Sequence, residues 1–151
     1  MAKLELDIDT TLPPDKVMAA LTDFTERRPD LWPGLAREYY EVYSKGEASA
    51  EVREGSVKPT RVWAKEHYDW STPGKVTWTV KESNFCRPGS NVSAQIQPGP
   101  EGGSRIHMVW ERWPSNMKGR FIIGMLVLTR GSPIKSSTKK ALDSMTSRTD
   151  L

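Results

Sequence analysis

The sequence contains few of the residues on which disulfides and metal sites depend. It has one cysteine, Cys86, and two histidines, His67 and His107, among 151 residues. A single cysteine excludes an intramolecular disulfide and is typical of a reducing compartment. Neither histidine has a second potential ligand at metal-binding spacing. We therefore predict no metal centre and no cofactor, and we expect both histidines at the surface.

Long apolar runs and the common catalytic signatures are also missing. The longest apolar run, residues 121–128, is far shorter than the ~20 residues that span a bilayer, so no integral membrane association is expected. No nucleophile elbow, phosphate-binding loop or pair of catalytic carboxylates is recognisable. The first residues alternate apolar and polar side chains like a strand, unlike a signal peptide. We expect a cytoplasmic protein.

The charge of the chain is nearly balanced. Its 22 basic and 19 acidic residues give a net charge of +3, which argues against a dedicated nucleic-acid-binding protein. The length predicts a single domain over residues 1–151. A domain of this size buries roughly 68–70% of its unfolded surface, which suffices for a core and a ligand cavity.

Residues 12–34 predict a helix, a break and a Trp-Pro corner. Prolines followed by Asp15 are typical of a helix start, and apolar residues then recur at helical spacing up to Phe24. Arg28 precedes Pro29, so any second helix is short or irregular.

Alternating segments follow, separated by Pro- and Gly-rich turns, and this pattern favours an antiparallel meander. From Asn116 the period becomes helical, with an interruption at residues 131–133. The first part of this helix is apolar over most of its circumference, which predicts that it is largely buried.

This order of elements resembles the helix-grip superfamily. The superfamily includes the START lipid-transfer domains, the birch-pollen-allergen-like proteins and the polyketide cyclase/dehydrase-like (SRPBCC) proteins. Residues 12–34 and 117–145 carry the resemblance, with the strands between them. It implies an α+β fold in which a curved antiparallel sheet of about seven strands wraps around a long C-terminal helix, with two short helices after the first strand. Carriers, cyclases and hydrolases share this fold, so no residue inherits a role.

A sheet that grips a helix leaves an apolar cleft between them, and such clefts bind small molecules. The inward faces of the predicted strands and helix nominate nine ligand-binding residues: Trp32, Glu66, Tyr68, Trp78, Met108, Trp110, Arg112, Phe121 and Met125. The alternative is that the aromatic and methionine side chains only fill the core.

Glu66 and Arg112 are the most informative members of this set, because their neighbours at ±2 are mainly apolar. An unpaired buried charge is costly, so the two either pair with each other or contact a polar ligand. Alternatively, both lie near strand ends in water.

Three functions remain open. The preferred hypothesis is a carrier or sensor of a lipid, polyketide or aromatic metabolite, and not an enzyme. The second is a cyclase or dehydratase in which Glu66 acts as acid or base and Arg112 or Tyr68 orients a carbonyl. The third is a protein-interaction module. Trp63 and Trp113, predicted on the outer face of the sheet, could form a homodimer contact. The cations at Lys135, Lys139 and Lys140 are either a solvated face or a contact for an anionic surface.

Overall fold

The computed structural model of the chain describes residues 2–58 and 60–146; the rest of the predicted domain lies outside the described residues. The strands are β1 (Ala2–Thr10), β2 (Glu41–Lys45), β3 (Ser49–Ser56), β4 (Val62–Asp69), β5 (Lys75–Ser83), β6 (Asn91–Pro98) and β7 (Ser104–Arg112). The helices are α1 (Pro14–Leu21), α2 (Arg28–Leu31), α3 (Met117–Leu128) and α4 (Ser132–Met145). Within the described residues, no helix has the length and apolar content needed to cross a membrane.

The strands form one antiparallel sheet in the order β1-β7-β6-β5-β4-β3-β2. From β2 to β7 each strand pairs with the next, as short turns dictate, and β1 then pairs with β7. The predicted helix-grip architecture is confirmed: two short helices follow the first strand, and a helix at the C-terminal end packs on the sheet.

The two short helices follow from their prolines. Pro14 occupies the first position of α1, where its missing N–H is not needed. The helix buries one face, formed by Val17, Ala20 and Leu21. Helix α2 has only four residues, as the Arg28-Pro29 pair predicted.

The C-terminal helical segment is two helices separated by a sharp turn. Arg130 and Gly131 both adopt left-handed backbone conformations, with φ of 56° and 72°. The Gly131 N–H donates to the carbonyl of Leu126 at 2.8 Å, which ends α3. Helix α4 then carries Ala141, Leu142 and Met145 into the core beside β1.

Helix α3 is not buried as its apolar circumference predicted. Met117 is 75% exposed and Leu128 is 77% exposed, whereas Gly119 and Ile123 are buried. A Cβ at Gly119 would lie 1.9 Å from the Phe85 carbonyl oxygen, so the helix packs closely on that backbone. Helix α3 therefore uses only one face against the sheet, and no described residue covers the other.

Candidate functional site

A cavity of about 350 Å³ lies between the inner face of the sheet, the loop after α2 and α4. This volume falls near the lower end of the range for small-molecule sites. Seven of the nine predicted ligand-binding residues line it: Trp32, Glu66, Tyr68, Trp78, Met108, Trp110 and Arg112. They come from α2's end, β4, β5 and β7, so the curvature of the sheet brings them around one space.

Glu66 on β4 and Arg112 on β7 form a buried ion pair in this lining. The Arg112 Nη2 atom donates to Glu66 Oε2 at 3.4 Å, and the two residues are 8% and 4% exposed. Burial raises the pKa of Glu66 to about 7, against the opposing effect of Arg112. Because the pair is long and the carboxyl group titrates near neutrality, Glu66 can exchange a proton with a bound molecule.

Two hydrogen-bond donors at this end of the cavity, one of them on Arg112 itself, have no partner among the described residues. The buried Trp110 Nε1 and Arg112 Nε atoms lack an acceptor among the described residues. The Arg112 guanidinium also lies 4.9 Å from the centre of the Trp110 ring, in a cation–π arrangement. This end of the cavity therefore has spare capacity to donate hydrogen bonds.

A second charged cluster joins α2 to the sheet. Arg28 Nε donates to Glu54 Oε2 at 2.6 Å, and its Nη1 atom donates to the carbonyl oxygens of Leu21 and Asp23, each at 3.0 Å. The Tyr68 hydroxyl donates to the same Glu54 carboxylate. Burial, and then the Glu54 charge, raise the pKa of Tyr68 well above its ordinary value. Tyr68 therefore stays protonated at neutral pH.

Sequence reasoning did not nominate Arg28 or Glu54, although both line the cavity. A signal for each existed. Arg28 continues the helical spacing of Leu21 and Phe24, and Glu54 continues the inward alternation of Ala50 and Val52. Each is thus a charged residue at an apolar position, the criterion that found Glu66 and Arg112.

Aromatic rings form the apolar wall of the cavity. Phe24 lies outside the lining and packs edge-on against Tyr68 at 4.8 Å. The lining rings of Tyr68 and Trp78 are stacked with centroids 5.3 Å apart. These rings present flat, rigid apolar surfaces. Such a wall suits a planar or acyl ligand rather than a highly polar one.

The cavity opens beside Trp32. Trp32, Gly34, Leu35 and Thr138 line both the cavity and an adjoining groove on the outside of α4. The indole N–H of Trp32 donates to the Ala20 carbonyl at 3.3 Å, which holds the ring in place. Trp32 therefore lies at the rim of the cavity.

The structure does not bring Phe121 and Met125 to this cavity. Phe121 is 65% exposed and Met125 is 46% exposed, and neither lines the space. Their predicted position inside it is wrong because α3 packs through its opposite face and α4 supplies the helical wall. Ile134, Thr138 and Leu142 take the places predicted for α3 residues.

Trp63 also departs from its predicted position on the outer face. It is half-buried and lines the cavity together with its neighbours Val62 and Ala64. Three consecutive lining residues show that this end of β4 lies at the rim, where strict alternation no longer decides what a side chain contacts. Trp113 is half-buried beyond the end of β7, and a homodimer contact through the two remains a prediction.

His67 and His107 lie away from the cavity. The His67 Nδ1 atom lies 3.0 Å from Glu51, and His107 Nδ1 lies 2.8 Å from Asp7. Both pairs are partly exposed. Among the described residues, no cluster of three or more His, Cys, Asp or Glu side chains could hold a metal ion.

Comparison with known families decides the classification. The sequence matches the family described as polyketide cyclase / dehydrase and lipid transport over residues 1–143. The chain belongs to this family. A search of curated proteins finds no match.

Solved structures of similar fold support the same architecture. The ZhuI aromatase/cyclase from Streptomyces sp. R1128 is 12% identical with a TM-score of 0.77, over 99% of this chain and 97% of that one. A START superfamily protein from Mycobacterium smegmatis is 9% identical with a TM-score of 0.74, over 94% of each chain. The ginseng (Panax ginseng) major latex-like protein 151 is 13% identical with a TM-score of 0.61, over 89% of this chain and 95% of that one. At these identities the likeness shows the fold alone.

Proposed function

We propose that the protein binds a mainly apolar small molecule in the cavity and acts as its carrier or sensor. The observation that carries the proposal is the combination of an aromatic wall with buried charged groups facing one open space. Apolar cavities with a few placed polar groups are the usual form of small-molecule sites. The family's described activities, polyketide cyclisation or dehydration and lipid transport, involve molecules of this type.

The polar groups predict where oxygen atoms of the ligand lie. Trp110 Nε1 and Arg112 Nε are donors without partners in the part of the chain that the structure describes, so a carbonyl, carboxylate or phenolic oxygen near them gains hydrogen bonds at little cost. A pure hydrocarbon leaves them unsatisfied. We therefore expect lipids, polyketides or aromatic metabolites that carry at least one oxygen acceptor. We also propose a cytoplasmic location, which the free and buried Cys86 supports.

Native mass spectrometry of freshly purified protein tests ligand binding. We expect a co-purifying small molecule that is released on denaturation. A second measurement uses anilinonaphthalene sulfonate, whose fluorescence increases in an apolar site. Trp32, Trp63, Trp78 and Trp110 all line the cavity, so dye bound there accepts energy from these tryptophans and is displaced by a ligand that occupies the cavity. Absence of both a co-purified mass and energy transfer contradicts the proposal.

A second candidate is a dehydratase- or cyclase-type enzyme, and the buried carboxyl group of Glu66 favours it. With a pKa of about 7, Glu66 can remove the α-proton of a β-hydroxy ketone. The electrons of that C–H bond form the new double bond as the bond to the β-hydroxyl breaks. The proton held by Glu66 then joins the departing hydroxide, so water is the only by-product. Arg112 would hold the carbonyl oxygen.

The enzyme hypothesis is tested by enone absorbance with a β-hydroxy aryl ketone as probe. We expect the wild type to accelerate dehydration and Glu66→Gln to lose that acceleration while still binding the probe. The matched control is Glu82→Gln, an exposed carboxyl group on β5. If the wild type binds the probe without accelerating its dehydration, the enzyme hypothesis is contradicted and the carrier proposal remains.

A further inference from the structure

Most of the exposed large hydrophobic side chains of the described chain lie on one helix. Six large hydrophobic side chains are exposed among the described residues, and five belong to α3: Met117, Phe121, Met125, Val127 and Leu128. Met117, Phe121, Met125 and Leu128 follow helical spacing and form one stripe about 18 Å long. Single exposed apolar residues are ordinary, but a continuous stripe marks an interaction surface.

Along the chain, cations flank this stripe and acids do not. No Asp or Glu lies between Glu111 and Asp143, whereas six lysines and arginines follow Arg112 in that stretch: Lys118, Arg120, Arg130, Lys135, Lys139 and Lys140. The whole chain carries only +3, so the remainder of the protein is net negative. The positive charge is therefore concentrated on the same part of the chain as the exposed apolar stripe.

The two cations in the first turn of α3 do not serve its stability. Lys118 and Arg120 lie in its first turn, which contains no acidic residue. Positive charge there opposes the positive end of the helix dipole. Lys118 also donates to the Arg61 carbonyl, but the exposed Arg120 and Arg130 pair with no acidic side chain among the described residues. Their charge is free for a negatively charged partner.

We propose that α3 is a docking surface for an anionic lipid membrane. The stripe enters the interfacial layer of the bilayer, while the flanking cations contact anionic headgroups. A second copy of this chain fits less well, because pairing two such helices brings cations against cations. The inner side of α3 contacts the cavity wall: Ile123 clusters with Ala64, and Phe85 packs against that cluster. Docking thus places the membrane one helix away from the cavity.

Vesicle co-sedimentation tests the proposal with the full chain and no added ligand. We expect binding to phosphatidylcholine vesicles that contain phosphatidylglycerol, little binding to pure phosphatidylcholine, and release at high salt. The double variant Phe121→Gln/Met125→Gln should weaken binding at least tenfold, since it removes two apolar anchors. Tyr43→Gln is the matched control, because Tyr43 is the one exposed large hydrophobic outside α3 among the described residues.

Charge is tested separately. The variant Arg120→Gln/Arg130→Gln should lose about fivefold in affinity per cation. Lys45→Gln/Lys81→Gln removes the same charge from exposed positions on β2 and β5 and should bind like the wild type. All seven substituted positions are exposed, so folding should persist, which circular dichroism checks.

Three outcomes overturn the proposal. These are equal binding to both vesicle types, an equal loss of vesicle affinity in the charge variant and its control, and no vesicle binding at all. In the last case, a dimer by light scattering that dissociates in Phe121→Gln/Met125→Gln assigns the stripe to a second copy. None of these outcomes depends on the occupancy of the cavity. Failure of the docking proposal therefore does not affect the proposal of ligand binding.

Discussion

The Glu66 carboxylate and the Arg112 guanidinium meet at 3.4 Å although two strands separate β4 from β7. In a flat sheet, strands three positions apart are about 14 Å from each other. The contact therefore exists because the sheet curves and both long side chains point into its concave face. It places a titratable carboxyl group and a permanent cation at one end of an aromatic cavity.

The stability of the protein should fall as the pH rises toward 7 because of Glu66. Its pKa is about 7 in the folded state and near 4.5 when unfolded, so the folded state binds the extra proton between these values. This stabilisation is on the order of 3 kcal/mol; it is present below pH 4.5 and is lost as the pH rises through 7. Urea unfolding between pH 4.5 and 7.5 measures it. Glu66→Gln should lose this pH dependence, whereas the exposed Glu82→Gln should retain it.

Removal of Arg28 should be strongly destabilising. Its side chain is 5% exposed and that of its partner Glu54 is 14% exposed. Arg28→Met leaves the Glu54 carboxylate buried without its cation and should cost about 3–5 kcal/mol in urea unfolding. Arg37→Met removes the exposed pair with Asp30, and we expect a loss of at most about 1 kcal/mol. Equal effects of the two substitutions contradict a buried network.

Two glycines of α3 should respond in opposite directions to alanine. A Cβ at Gly124 meets nothing within 4 Å, so Gly124→Ala should stabilise the protein by about 0.4–1 kcal/mol. At Gly119 the same Cβ would lie 1.9 Å from the Phe85 carbonyl oxygen. Gly119→Ala should therefore displace α3 and lower the free energy of unfolding by about 1–3 kcal/mol. Thermal unfolding of both variants measures these effects. A Gly119→Ala protein as stable as the wild type would falsify the close packing of α3 on the Phe85 backbone.

A tryptophan at the opening should block the cavity. Thr138 lines both the cavity and the outer groove, while Ser136 on the same helix is exposed and lines neither. We expect Thr138→Trp to weaken dye binding at least tenfold, since it fills the opening between α4 and the residue 32–35 loop. Ser136→Trp should bind the dye like the wild type. If Thr138→Trp also binds normally, ligands enter by another route.

The candidate site could be predicted in part. Glu66, Tyr68, Trp78, Met108, Trp110 and Arg112 follow from strand alternation, because every second side chain faces the same side. Glu54 follows the same rule and Arg28 follows helical spacing, but periodicity within a strand or a helix does not show that two residues 26 positions apart meet. The prediction for Phe121 failed because α3 is apolar on all sides, so its sequence does not select the face that packs.

The amino-acid sequence by itself determined the local elements: strand alternation, proline-started helices and turns that favour an antiparallel meander. These depend on neighbouring residues and on backbone sterics. The tertiary structure decided which distant charges pair, which helix covers the cavity and which apolar face stays exposed. Those outcomes depend on the curvature of the sheet and on the left-handed turn at Arg130 and Gly131, which directs α4 onto the core and leaves the outer face of α3 uncovered.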